Sequence, residues 1–348
     1  MRCVLGSRLF VLFVFVLSSE FLVRTAAQPA APGRVETLRA TGGLAPDICG
    51  QFREPLAFQQ AANGVFYVFD KRGHSVYTID PEGKSVRTAV TIGGEQGRVI
   101  DPTAFGLAPN GTFVVSDAPN GRERLSIFDY AGTWVSGFTL PGRTEPRVSL
   151  GPLIMNGIGS LAFLGNGIAL NQPETGALIT EYGFAGTPVR SIGRLRPTGY
   201  ENDRQLHFAM NAGIPVRLPD GGYYFVFLAG TPMYRRYDAK GGLRFERVMQ
   251  GRELDPIVEQ MPKTWPRRTV DGKELPLVVP TVRAAAADAD GNLWVTFLIP
   301  FTYVFDADGE KVRTVQFRAA GIISPTSLFF APRGRLLITP GCYEFTPF

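Results

Sequence analysis

The chain is poor in the residues that carry most proton-transfer and nucleophilic chemistry. In 348 residues it has two histidines, His74 and His207, and three cysteines. It lacks G-x-S-x-G, H-E-x-x-H and a phosphate-binding P-loop, and no G-x-G-x-x-G follows a strand. A nucleophilic hydrolase and a dinucleotide enzyme therefore find no support. There is no dense Lys/Arg cluster, so the pI of about 9.2 does not argue for nucleic acid. "WPRR" (265–268) is too local to change this. After the first 20 residues no apolar run is long enough to span a bilayer.

What is abundant is equally informative. With 40 Gly and 27 Pro the chain is rich in turns, yet 45% of it is hydrophobic. That is too apolar for a disordered chain and fits many short strands around a core. At the N-terminus, Arg2 and Arg8 precede "LFVLFVFVLSS" (9–19), and Thr25-Ala26-Ala27 supplies small residues. This reads as a secretory signal over 1–27, cleaved before Gln28. Retention as an anchor is the alternative, since Glu20 and Arg24 interrupt the segment. Cleavage would reduce 36 basic and 31 acidic residues to 33 and 30, a net charge of +3. An exported chain, periplasmic or extracellular, soluble and monomeric, is the expectation.

The stretch "FYVFDKRGHSVYTIDPEGKSVR" (66–87) alternates apolar and polar residues, breaks, alternates again and closes on an acidic turn. "GTFVVSDAPNGRERLSIFDYAGTWVSGF" (111–138) repeats it. Fainter copies lie at 167–192, 221–248 and 291–317, with a truncated one at 334–345. A glycine precedes each second strand, at Gly64, Gly111, Gly167, Gly221, Gly291 and Gly334, spaced 47, 56, 54, 70 and 43 residues apart. Four-strand units at such periods predict a β-propeller. Six blades are expected, at about 53–92, 101–140, 156–193, 211–250, 281–317 and 324–348. The whole of 28–348 would be one all-β domain of four-stranded blades. The last copy lacks a fourth strand, and "RVETLRATG" (34–42) is predicted to fill it, closing the ring and removing an open sheet edge.

"REPLAFQQAANGVFYVFDKRGHSVYTIDPEGKSVR" resembles an NHL repeat: an apolar strand, Asn-Gly, a strand ending in Asp, a polar turn with His, and a strand ending in Asp-x-x-Gly. Blades one and two carry the motif well. Blades three to five carry only its glycines and alternation. The resemblance implies a six-bladed propeller and places His74 in a turn that commonly packs a histidine. Cys49 and Cys342 then flank the closure seam, where a disulfide would latch the ring. Two unpaired thiols are the other reading.

Ten residues before each hairpin glycine stand Glu54, Asp101, Gly157 with Asn156 beside it, Asn211, Thr281 and Ser324. In a propeller these positions converge on one mouth of the central channel. Glu54, Asp101, Asn156 and Asn211 form an oxygen-rich set suited to Ca²⁺. Gluconolactonase-like propellers resemble this in holding a divalent ion at the centre with such ligands. A metal-dependent lactonase or lyase, with His207 or Arg204 assisting, is thus one expectation. Against it, strand starts often carry Asp, Asn, Ser or Thr simply as turn residues. Two long insertions, 194–211 and 251–280, enter at the same mouth. They bring Tyr200, Trp265, Arg267 and Arg268 to its rim, where aromatic and Arg side chains favour binding. Recognition of a protein, peptide or saccharide is the leading expectation, without a nucleic-acid partner. A purely structural envelope protein is a third class.

Overall fold

The computed structural model describes residues 34–119, 122–140, 148–150, 153–155, 160–270 and 273–347. The signal segment 1–27 and Asn156 lie outside them. Six antiparallel sheets follow in chain order and form a six-bladed β-propeller. The innermost strands are Pro55–Gln60, Ala104–Leu107, Leu161–Leu164, Gly213–Arg217, Val282–Ala287 and Ser327–Ala331. Each neighbours the next and the last neighbours the first, so the ring is closed.

The apolar residues are not gathered into one central core. They fill six wedges, one between each pair of blades. Tyr67 and Phe69 of blade one meet Phe105 and Phe113 of blade two, and Leu337 of blade six meets Phe58 and Val68 of blade one. This is why second strands such as Phe66–Asp70 and Tyr223–Phe227 are buried along their whole length: both faces meet another blade.

The periodic turn residues have a physical basis. Five of the six hairpin glycines take φ between +69° and +90°, where a Cβ is strained. The repeated Asp of the acidic turn folds its carboxylate onto its own backbone. Asp129 accepts from Ala131 and Thr133, Asp238 from Lys240 and Gly242, and Asp306 from Asp308 and Glu310.

The last blade is closed by an N-terminal strand, as expected, but by a shorter one than 34–42. Val35–Arg39 does not enter the last blade; it runs parallel to Lys311–Arg318 as an added outer strand of blade five. The chain then crosses, through Ala40 N–H to Arg318 O and Thr41 N–H to Glu344 O. Only Gly42–Gly43 supplies the fourth strand of blade six, opposite Tyr343 and Glu344. The eight-residue outer strand of blade five leaves a free edge long enough to take the segment, and Glu36 fixes the register by a bidentate pair with Arg313, 2.9 Å in both contacts.

The expected disulfide is also absent. Cys49 and Cys342 are free thiols. They do pack together across the seam, within the wedge between blades six and one. No helix of the described residues is long and apolar enough to cross a membrane.

Candidate functional site: the strand-entry mouth

Where the innermost strands begin, the second strands end, and the backbone of both needs partners. Blade one meets this with Asp70, which is fully buried. Its Oδ1 accepts from Glu54 N–H at 2.8 Å and Gly73 N–H at 3.0 Å, and its Oδ2 from Arg53 N–H at 2.8 Å. One carboxylate thus ties the strand entry to the turn 71–74. In blade two, Asp117 accepts from Ile100 N–H at 3.0 Å and pairs with Arg124 at 2.6 Å. In blade three, Asn171 donates to Leu178 O and accepts from Gly213 N–H of blade four. In the sequence these residues show only as polar ends of apolar strands, "FYVFD" and "FVVSD"; their burial was not legible there.

The predicted ring residues separate into two kinds. Glu54 is partly exposed, with Arg72 at 3.6 Å. Asp101 is exposed and has φ +50°. Its N–H donates to Nδ1 of His74 at 3.2 Å, and His74 also has φ +50°. An accepting Nδ1 places the proton of the neutral ring on Nε2. The turn 71–74 therefore bridges the entries of blades one and two: Lys71 N–H also donates to Glu54 O.

The other positions face inward. Asn211 is fully buried, its Oδ1 accepting from Arg196 N–H and its Nδ2 donating to Arg196 O and His207 O. The Thr281 hydroxyl serves Leu228 O and Gly230 O, and that of Ser324 serves Leu298 O. No three of His, Cys, Asp and Glu gather among the described residues. Ca²⁺ takes six to eight oxygens. With Asn211 committed and Asn156 outside the described residues, the ring carboxylates of Glu54, partly exposed, and Asp101, exposed, are the described groups left to meet an ion.

The two insertions form a joint platform on this face. The helix Arg204–Met210 is capped by Asp203, whose Oδ1 accepts from Leu206 N–H at 3.2 Å. Leu206 packs with Trp265, Val278 and Ala229. Asp203 and Arg267 form an ion pair between the insertions. Trp265 is buried and holds the platform together, so it does not stand on the rim. Tyr200 is half-buried, its hydroxyl 3.5 Å from Lys263 O. Arg268 and Arg204 are exposed, the latter 5.2 Å from the Phe208 ring centroid. His207 is largely enclosed: Nδ1 is 2.8 Å from the Thr198 hydroxyl and 4.0 Å from Glu201. This is the geometry of a loop clasp.

Arg196 was missed in the sequence. It donates to Met210 O and Ala229 O and lies 4.3 Å from the Phe227 ring centroid. Burial, with Arg235 beside it, pushes its guanidinium down to about 10, so it is still charged at neutral pH. The second Arg of "RLRPTG" gives no signal that it will cap the end of a helix fourteen residues on.

No family model matches the chain, so the NHL resemblance stands on the blade motifs alone, and no curated protein matches it. Solved structures do. One is a gluconolactonase from Xanthomonas campestris, at 14% identity and TM-score 0.50, covering 92% of this chain and 98% of that one. Another is a streptogramin B lyase, at 12% identity and TM-score 0.49, covering 84% and 92%. A third is a Bacteroides caccae protein of unknown function, at 10% identity and TM-score 0.46, covering 75% and 81%. At such identities the likeness is one of fold.

Proposed function

We propose that the strand-entry face binds a protein, peptide or saccharide ligand in an exported, monomeric protein, periplasmic or extracellular. The observation that carries this is the platform. Two insertions far apart in sequence are locked by Trp265 and the Asp203–Arg267 pair on the face where Asp101 is exposed and Glu54 partly so. A rigid scaffold presenting ordered loops is the usual construction of a recognition surface.

Trp265→Ala tests it. Truncating the buried indole should cost about 3–5 kcal/mol of local stability. Hydrogen exchange should rise in 251–270 and 273–280 while the blade strands keep their protection. On peptide and glycan arrays, a ligand captured by the wild type and lost in the variant supports the reading. Capture indifferent to the platform refutes it.

A metal-dependent lactonase or lyase is the second reading. It is favoured by one observation, the carboxylates of Asp101, exposed, and Glu54, partly exposed, on either side of the His74 turn. Melting with and without EDTA separates the two. The binding reading expects no change. A bound ion lost to EDTA, with a melting temperature that falls on chelation and in Asp101→Ala alike, would replace it with the enzyme.

A further inference from the structure

The six innermost strands carry only two charged side chains, Arg217 and Arg283. Arg217 ends its strand and covers Tyr223, 4.6 Å from the ring centroid. Arg283 is placed differently. It is the second residue of its strand and is exposed, although Val282 and Ala284 on either side are buried. It makes no hydrogen bond, ion pair or ring contact with another described residue.

Its exposure is built into the backbone. Val282 pairs with Phe297 and Ala284 with Thr296, so Arg283 is the extra residue of a β-bulge. Thr296, fully buried, stabilises the irregularity: its hydroxyl accepts from Ala284 N–H at 3.0 Å and lies 3.1 Å from Pro325 O. A bulge that turns a cation out of an otherwise apolar inner strand is a feature with a use. Solvent next to the start of an innermost strand is that of the channel mouth.

The ring order sets what Arg283 faces. Blade five lies across the mouth from blade two. Blades one and two bring Glu54 and Asp101 to the entry positions, with the His74 turn between them. The mouth thus has the Asp101 and Glu54 carboxylates, the latter beside Arg72, on one side and the Arg283 guanidinium on the other. The geometry points to a site for a small hydroxylated carboxylic acid, a uronate-type saccharide, whose carboxylate is held by Arg283 and whose hydroxyls meet Glu54 and Asp101. A guanidinium offers two parallel N–H groups that match a carboxylate. Glu54 and Asp101 accept from hydroxyls and repel the acid end, which fixes the orientation. This inference rests on the binding reading above and narrows its ligand class.

The test is calorimetric titration of the full chain with D-glucuronate and D-galacturonate, using D-glucose and D-galactose as neutral counterparts. A uronate should bind more tightly than its neutral sugar. Arg283→Gln should weaken it about 10- to 100-fold, the range for losing hydrogen bonds to a charged group. Arg87→Gln, exposed on the outer strand of blade one, should leave it unchanged. A neutral sugar binding as tightly as its uronate, or uronate binding untouched in Arg283→Gln, overturns the site and leaves the binding face standing. Absence of binding by both uronates also overturns it, and the face is then decided by the Trp265→Ala arrays.

Discussion

Gly43→Ala should open the ring. Gly43 has φ +138°, and a Cβ there would run into the Cys342 carbonyl oxygen and stand 2.9 Å from Tyr343 Cα. Both obstacles are backbone, so no rotamer change relieves them. Gly42–Gly43 is the entire fourth strand of blade six, and Leu44 N–H, next in the chain, donates to Cys342 O at 3.0 Å. Strain and lost pairing together should cost about 3–5 kcal/mol and lower the melting temperature by roughly 5–10 °C. Gly42→Ala is the control. Its Cβ would meet only Glu344 Cβ at 3.8 Å, an ordinary contact, and should cost under about 1 kcal/mol. Urea unfolding followed by circular dichroism distinguishes them. Equal losses would mean that closure does not depend on the backbone contact at Gly43.

The second large effect is expected at Asp70→Ala. Three backbone N–H groups converge on this buried carboxylate. Removing it strands donors in a site closed to water, which should cost about 3–5 kcal/mol. Asp80→Ala removes the acceptor of two N–H groups, Lys84 and Ser85, in an exposed turn. Water can replace it there, so about 1 kcal/mol is expected. The pair of variants tests burial, since the number of bonds differs by only one. In Asp70→Ala the turn 71–74 should also loosen, and the His74 imidazole resonances should shift as the contact with Asp101 weakens.

The blade architecture was legible in the sequence because its signals are local. Alternation is set by the pleat, the hairpin glycines by φ, and the acidic turns by an Asp folding onto its own backbone. Strand partners were less legible. "RVETLRATG" announces a strand, yet nothing in its alternation distinguishes a parallel place on blade five from an antiparallel place on blade six. That choice is made by Glu36 meeting Arg313 across the whole length of the chain. The mouth was half legible. Counting from the glycines located Glu54 and Asp101, but could not tell a solvent-facing carboxylate from the buried amide of Asn211. Arg283 was invisible because a bulge is a property of two strands, and the count along one strand passes over it.

Arg313 also bears on how the gene can be rearranged. Its guanidinium holds Glu36, near the first described residue, and donates to Pro347 O, near the last, at 3.2 Å. The two ends of the described chain are therefore neighbours at the blade five and six seam. A short linker joining them, with new termini cut into an exposed outer turn such as Asp80–Lys84, would preserve every blade and turn the closure from a hydrogen-bonded contact into a covalent one. Circular permutants of this kind could carry a fused domain on any chosen blade.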